Sequence, residues 1–134
     1  PFNSQNTVWF PDAYPLLCLP SYCSFRMTEI WRSFVAQRIA WTNGGALLFT
    51  EADVHQERNP HNLMKDFADE VPGYLNNRRI AETLDQLNLP SGRTHIGGNL
   101  LRCYEALAGL GLVDGKEIPL IQAWLDDLST LGSL

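Results

Sequence analysis

The sequence is short of most features that announce a chemistry. No apolar run approaches the ~20 residues that span a bilayer, and no stretch reads as a signal peptide. There is no Lys/Arg run: ten basic residues are scattered among fifteen acidic ones, for a formal net charge of −5. That balance argues against a nucleic-acid groove or an anionic membrane surface as partner. Cysteine is scarce, with Cys18, Cys23 and Cys103 the three present. An odd count and the Cys18-x4-Cys23 spacing make no zinc pattern. One disulfide between Cys18 and Cys23, or three reduced and mostly buried thiols, are both compatible with it. A Gly-rich phosphate loop, a Gly-x-Ser-x-Gly elbow and a His-Glu-x-x-His helix are all missing. So are internal repeats and low-complexity tracts.

What is there is enough for a core. The 134 residues are 45% apolar and 10% aromatic, with four Trp. That fits one domain, or a large piece of one, and excludes disorder. The chain opens on Pro1 rather than Met and starts abruptly, so the expectation is a segment of a longer protein.

The chain is organised around Phe25 to Gly45, FRMTEIWRSFVAQRIAWTNGG. Thr28 reads as N-cap, Glu29 as a first-turn carboxylate suited to the helix dipole, and Asn43-Gly44-Gly45 as the stop. At helical spacing Ile30, Trp31, Phe34, Val35, Ile39 and Trp41 form an apolar stripe. Glu29, Ser33 and Gln37 fall opposite, with Arg32 at the border. Arg38 falls inside the stripe. An arginine cannot shed its charge, so Arg38 either snorkels and caps carbonyls or forms a buried ion pair.

Before this helix, Val8-Trp9-Phe10 and Leu16 to Leu19 read as short strands. After it, Ala46 to Thr50 reads as a buried strand. Strand, helix, strand predicts an α/β fold. Glu51, Asp53 and His55 alternate, so an extended chain puts them on one face, as a divalent metal or acid/base chemistry needs. A solvated polar edge has the same pattern. A metal-dependent hydrolase built on these three would need further ligands that the sequence does not offer. Asn59-Pro60 predicts a helix start, where Arg58 and His61 flank N–H groups able to receive an anion.

From Asn62 onward the chain reads as helical. Leu63, Met64, Phe67 and Val71 share one face, and Pro72-Gly73 interrupts. Ile80, Leu84 and Leu87 form the next stripe. Leu100, Leu101, Tyr104, Leu107 and Ala108 are the buried side of a helix over Gly98 to Val113. Leu120, Ile121, Trp124, Leu125 and Leu128 are that of a helix over Ile118 to Leu131, with Pro119 in its first turn.

Four segments carry a resemblance: NSQNT at 3–7, the Asp12-Ala13 loop, FRMTEIWRSFVAQRIAW at 25–41, and QERNPHNLMKDFADEVPGY at 56–74. They resemble the STELLO family of glycosyltransferase-like proteins, over roughly residues 1 to 88. Glu29 stands where the family usually has Asp, and His61 matches. The resemblance implies a GT-A-like nucleotide-sugar fold, whose donor half carries an Asp-x-Asp metal motif. No Asp-x-Asp occurs here. The implied organisation is therefore the acceptor-side, C-terminal half of such an α/β domain at 1–60, with few short strands and one central helix. A helical extension at 61–134 packs on it. The implied activity is transfer of a sugar from a nucleotide-sugar donor to a glycan or other hydroxyl acceptor, with Mn or Mg as divalent metal. This segment alone would not turn over.

Glu29 is then the expected catalytic base or acceptor-binding carboxylate, with Arg32 binding acceptor or holding Glu29 by an i,i+3 pair. Arg58 and His61 are expected at diphosphate or metal, and Asp12 at the acceptor. The resemblance implies a Golgi membrane if the chain is eukaryotic and the cytoplasm if it is bacterial. The other class is a non-catalytic module that holds a protein or glycan through Trp9, Tyr14 or Trp41.

Overall fold

A computed structural model describes residues 1–57 and 59–132. Among these residues four α-helices carry the fold: α1 (Thr28–Thr42), α2 (Leu63–Asp85), α3 (Ile96–Gly109) and α4 (Glu117–Thr130). Short 3₁₀ helices occupy Pro11–Leu17, Phe25–Met27 and Arg93–His95. Among the described residues there is no β-strand, which overturns the predicted α/β, GT-A-like class. The expected strands are 3₁₀ helix or coil instead. Leu16 and Leu17 fall in a 3₁₀ helix with Pro11 in its first turn and Pro15 inside it, because proline's fixed φ suits that turn and removes ladder donors. Val8 and Phe10 are exposed coil, as are Leu48 and Phe49. A strand needs a neighbour for its backbone groups, and none of the described residues supplies one.

The organising helix is where the sequence put it, but its start differs. Thr28 is already helical, and its Oγ1 donates to the Phe25 carbonyl at 3.0 Å instead of capping. The 3₁₀ turn Phe25–Met27 feeds directly into α1, so the carbonyls of Ser24 and Phe25 take the first N–H groups. The C-terminus behaves as read. Gly44 adopts φ 74°, Gly45 N–H bonds Ala40 C=O at 2.8 Å and Gly44 N–H bonds Trp41 C=O at 3.1 Å. This is a Schellman closure, and the left-handed residue is glycine because a Cβ is costly there. The α3 end repeats it at Gly111, φ 71°.

Helix α2 starts at Leu63, three residues after Pro60, capped by the Asn62 side chain on Lys65 N–H at 3.1 Å. It runs through Pro72 without the predicted interruption. Gly73 lets α2 lie on Met27, since a Cβ at that position would collide with the Met27 sulfur.

The core lies where α1 meets α2 on one side and α3 on the other, with α4 closing over α3. Trp31, Val35 and Ile39 pack in one cluster with Ile80, Leu84, Leu100, Tyr104, Leu107, Ile121 and Leu125. Aromatics of the core and its border spend their polar tips on tying separate segments together. Trp124 Nε1 donates to Pro15 C=O at 3.0 Å, Tyr104 O–H to Cys18 C=O at 3.2 Å, and Trp31 Nε1 to Asn77 Oδ1 at 3.1 Å. Cys18, Cys23 and Cys103 are all free thiols. Of the two readings of Arg38, capping holds. Its Nε donates to Leu84 C=O at 2.9 Å and its Nη2 to Leu87 C=O at 2.8 Å. The carbonyls it satisfies belong to the end of α2, not to its own helix.

Candidate functional site

The polar face predicted for α1 is not a solvent face. Arg32 is 2% exposed and Ser33 is fully buried, because the segment before Pro11 folds across them. Phe2 N–H donates to Ser33 Oγ at 3.0 Å, and Ser4 Oγ accepts from Arg32 Nη2. The Trp9 and Phe2 rings stack on the guanidinium at 4.7 and 5.7 Å. Burial pulls the Arg32 pKa below the ordinary arginine value, while the Tyr104 hydroxyl and Glu29 oppose that shift. Arg32 is therefore sealed in an aromatic cage. Trp9 is spent there, whereas Tyr14 and Trp41 remain exposed.

Glu29 stands half-buried in the first turn of α1. His61 precedes α2, its Nδ1 3.2 Å from Asp66 Oδ2, and the other Asp66 oxygen pairs with Arg26. Asp53 accepts from Asn6 Nδ2 at 2.6 Å, and His55 is exposed. No three His, Cys, Asp or Glu among the described residues stand close enough to hold a metal ion. Arg58 lies outside the described residues.

A groove of about 550 Å³ opens at the other end of α1. Its floor is Leu16, Ile39 and Ile96, and its rim is polar, with Asp12, Thr42, Asn43, Ser91 and Arg93. Three local decisions build it. The Gly44 turn ends α1 abruptly and bares the last turn. Asn43 then reaches across, its Oδ1 accepting from Gly92 N–H at 2.7 Å and its Nδ2 donating to Ile39 C=O at 2.8 Å. Gly92, at φ 112°, turns the chain so that Arg93 faces Asp12, Nη1 to Oδ1 at 3.0 Å. The Phe10 ring stands exposed at one lip. A mostly apolar floor with a few convergent polar groups is the usual make-up of a small-molecule site.

Asp12 is thus in the groove, and Glu29 is not. At 1.5 Å per helical residue, Glu29 and Asn43 are about 20 Å apart along the axis. Arg93 and Asn43 are groove residues that sequence reading passed over as site candidates. The signal for Asn43 was its stop motif. Nothing in the sequence joins Arg93 to a residue 81 positions earlier.

A second buried polar group also escaped notice. Glu117 is 0% exposed, and its Oε2 accepts from Ser21 N–H at 2.8 Å and Tyr22 N–H at 2.9 Å. It pins the Pro20–Cys23 loop to the start of α4. Cys18 and Cys23 are each pushed up to about 11, first by burial and then by the Glu117 charge.

Comparison with known proteins agrees with the family read from the sequence and extends it. The family model described as STELLO glycosyltransferases matches residues 26–133, so the match takes in the helical tail. An Arabidopsis thaliana protein named "Probable glycosyltransferase STELLO2" is 27% identical over 132 residues, which is 98% of this chain and 17% of the relative. The chain thus spans about a sixth of the length of that relative. No solved structure matches. No helix among the described residues is long and apolar enough to cross a membrane. The chain belongs to the STELLO glycosyltransferase family.

Proposed function

We propose that this helical unit supplies the acceptor side of a glycosyltransferase, holding a glycan in the groove between Pro11–Leu17 and Arg93–His95. The supporting observation is the Asp12–Arg93 pair standing over an apolar floor beside the exposed Phe10 ring. A sugar offers hydroxyls that both donate and accept, and C–H faces that pack on an aromatic ring. A carboxylate, a guanidinium and a carboxamide on one rim match the first, and Phe10 matches the second. The ion pair is open to water on both sides, so it is worth about 0–1 kcal/mol. Sugar hydroxyls can insert between its partners at little cost.

Transfer would form a bond from the acceptor oxygen to the anomeric carbon and break the bond to the leaving diphosphate. The groove's part is to orient the acceptor hydroxyl. Glu29, about 20 Å away along α1, cannot touch the same acceptor atom, so the reading rests on Asp12. The family implies a nucleotide-sugar donor and Mn or Mg. The described residues do not fit a divalent metal: no three candidate ligands converge, and Asp66 is taken by Arg26 and His61. No step is assigned to one here.

Calorimetric titration with a panel of oligosaccharides tests the proposal. One or more should bind the chain, and Asp12→Asn with Arg93→Gln should weaken that binding at least about tenfold, the loss of one or two polar contacts. Equal binding by the variant would reject the groove.

A further inference from the structure

Trp41, a candidate glycan contact by sequence, takes no part in the groove. It lines a separate hollow of about 110 Å³ where the second half of α1 meets the end of α2. Phe34, Gln37, Arg38 and Trp41 recur at three- and four-residue spacing, so they share one face of α1. Ala81, Leu84 and Asp85 share a face of α2 in the same way. Ile39, Thr42 and Asn43, which line the groove, fall on the opposite side of α1 at ~100° per residue. Groove and hollow thus flank the same helix end. The hollow has a fixed wall and a free rim. Arg38 is held by Leu84 C=O, Leu87 C=O and Thr42 Oγ1, which take one bond from each guanidinium nitrogen. Leu84 is buried beneath, and the small Ala81 leaves open the space that a longer side chain would fill. At the rim the Trp41 indole is 60% exposed. Among the described residues its Nε1, the Gln37 carboxamide and the Asp85 carboxylate make no hydrogen bond or ion pair.

We propose that this hollow is a second sugar subsite, holding one ring of a glycan against Trp41; the choice of a glycan rests on the acceptor reading above. Size, chemistry and charge each favour a single sugar ring. Small-molecule sites usually enclose about 300 Å³ or more, so 110 Å³ cannot enclose a whole cofactor. It suits one unit of a polymer whose neighbours lie outside. The indole gives a broad, rigid apolar surface for the C–H face of a pyranose, and its N–H gives a donor at the edge. A sugar hydroxyl both donates and accepts. Asp85 accepts, and Gln37 does both, so two ring hydroxyls find matched partners. An anion is disfavoured. Arg38 already spends a bond from each nitrogen on Leu84, Leu87 and Thr42, and the Asp85 carboxylate repels negative charge. The two openings are separated by about one helix diameter, roughly 10–12 Å. An oligosaccharide that follows the surface round the Asn43–Gly44 turn reaches both.

Titration of the 134-residue chain with hexasaccharides of glucose, mannose and xylose, read on the indole N–H resonances, tests this. At least one should shift the Trp41 resonance, assigned by its loss in Trp41→Phe, and leave that of the buried Trp31 in place. Trp41→Ala removes the ring, and Ala81→Leu fills the hollow. Each should weaken binding of that hexasaccharide about tenfold, the loss of one stacked unit. Helical circular dichroism should hold in both, because both residues are exposed. Asp12→Asn with Arg93→Gln separates the two readings. If that variant alone weakens binding, the groove stands and the hollow falls. If it binds as the wild type does while Trp41→Ala and Ala81→Leu bind less, the hollow stands and the groove falls. A Trp41 resonance unmoved by all three hexasaccharides overturns the proposal.

Discussion

Replacing Glu117 by Met asks what a buried carboxylate is for in this fold. Glu117 is fully buried, with one oxygen held by Ser21 and Tyr22 N–H and the other, Oε1, without a hydrogen-bond partner among the described residues. Two effects oppose one another. Removing a buried charge recovers desolvation, and apolar replacements of buried ion pairs are often neutral or stabilising by 1–4 kcal/mol. Against that, Met strands two backbone N–H groups, each costing about 1–3 kcal/mol if water cannot reach them. Among the described residues no cation stands within ion-pair distance of Glu117, so no second charge there is orphaned by its loss. Glu117→Gln separates the effects, since it keeps an acceptor oxygen and the shape while removing the charge.

The geometry therefore predicts that Gln costs about 1 kcal/mol and Met about 3 kcal/mol, the difference being the unsatisfied N–H groups. For a domain of this size each kcal/mol moves the midpoint by roughly 3–5 °C. Thermal and urea unfolding of the three proteins measure this. Amide exchange at Ser21 and Tyr22 should speed up in the Met variant and hold in the Gln variant. If the Met variant is as stable as the wild type, the two N–H bonds contribute nothing net, and the pinning role assigned to Glu117 is wrong.

Gly73→Ala should destabilise despite the ~1 kcal/mol gain in helix propensity. The added Cβ meets the sulfur of Met27, itself 4% exposed, and overpacking of that kind costs about 1–3 kcal/mol; the double variant with Met27→Ala should show strong positive coupling in a mutant cycle. Stability should also fall in alkali. The Cys18 and Cys23 thiols have folded pKa values near 11, above the ~8.5 of an unfolded thiol. Their contribution is therefore fully present below about pH 8.5 and lost as pH rises through 11. Urea midpoints between pH 8 and 11 would show it, and a Cys18→Ser/Cys23→Ser protein should lose part of the slope.

The helices were legible because their periodicity is local. Ile80, Leu84, Leu100, Tyr104, Leu107, Ile121 and Leu125 were all read as core, and all are buried. The Asn43-Gly44-Gly45 stop is a statement about φ that sequence can make. What failed needed partners distant in sequence. Ala46 to Thr50 has the composition of a strand, but a strand is a pairing, and composition does not supply the neighbour. Leu63, Met64 and Phe67 were read as core from spacing that reports an apolar face without saying what covers it. Arg32 looked like a border residue until the segment from Pro1 to Phe10 was seen to lie across it. Asp12 was named as an acceptor contact and sits in the groove, but Arg93, which faces it, could not be read from the sequence.

Amide chemical-shift mapping on the labelled chain during titration with an oligosaccharide that binds it tests the acceptor-groove account most directly. The account predicts shifts concentrated at Asp12, Asn43, Gly92 and Arg93, and reduced at the same ligand concentration by Arg93→Gln. Shifts centred instead on Arg26, Glu29 and His61, at the opposite end of α1, would contradict it.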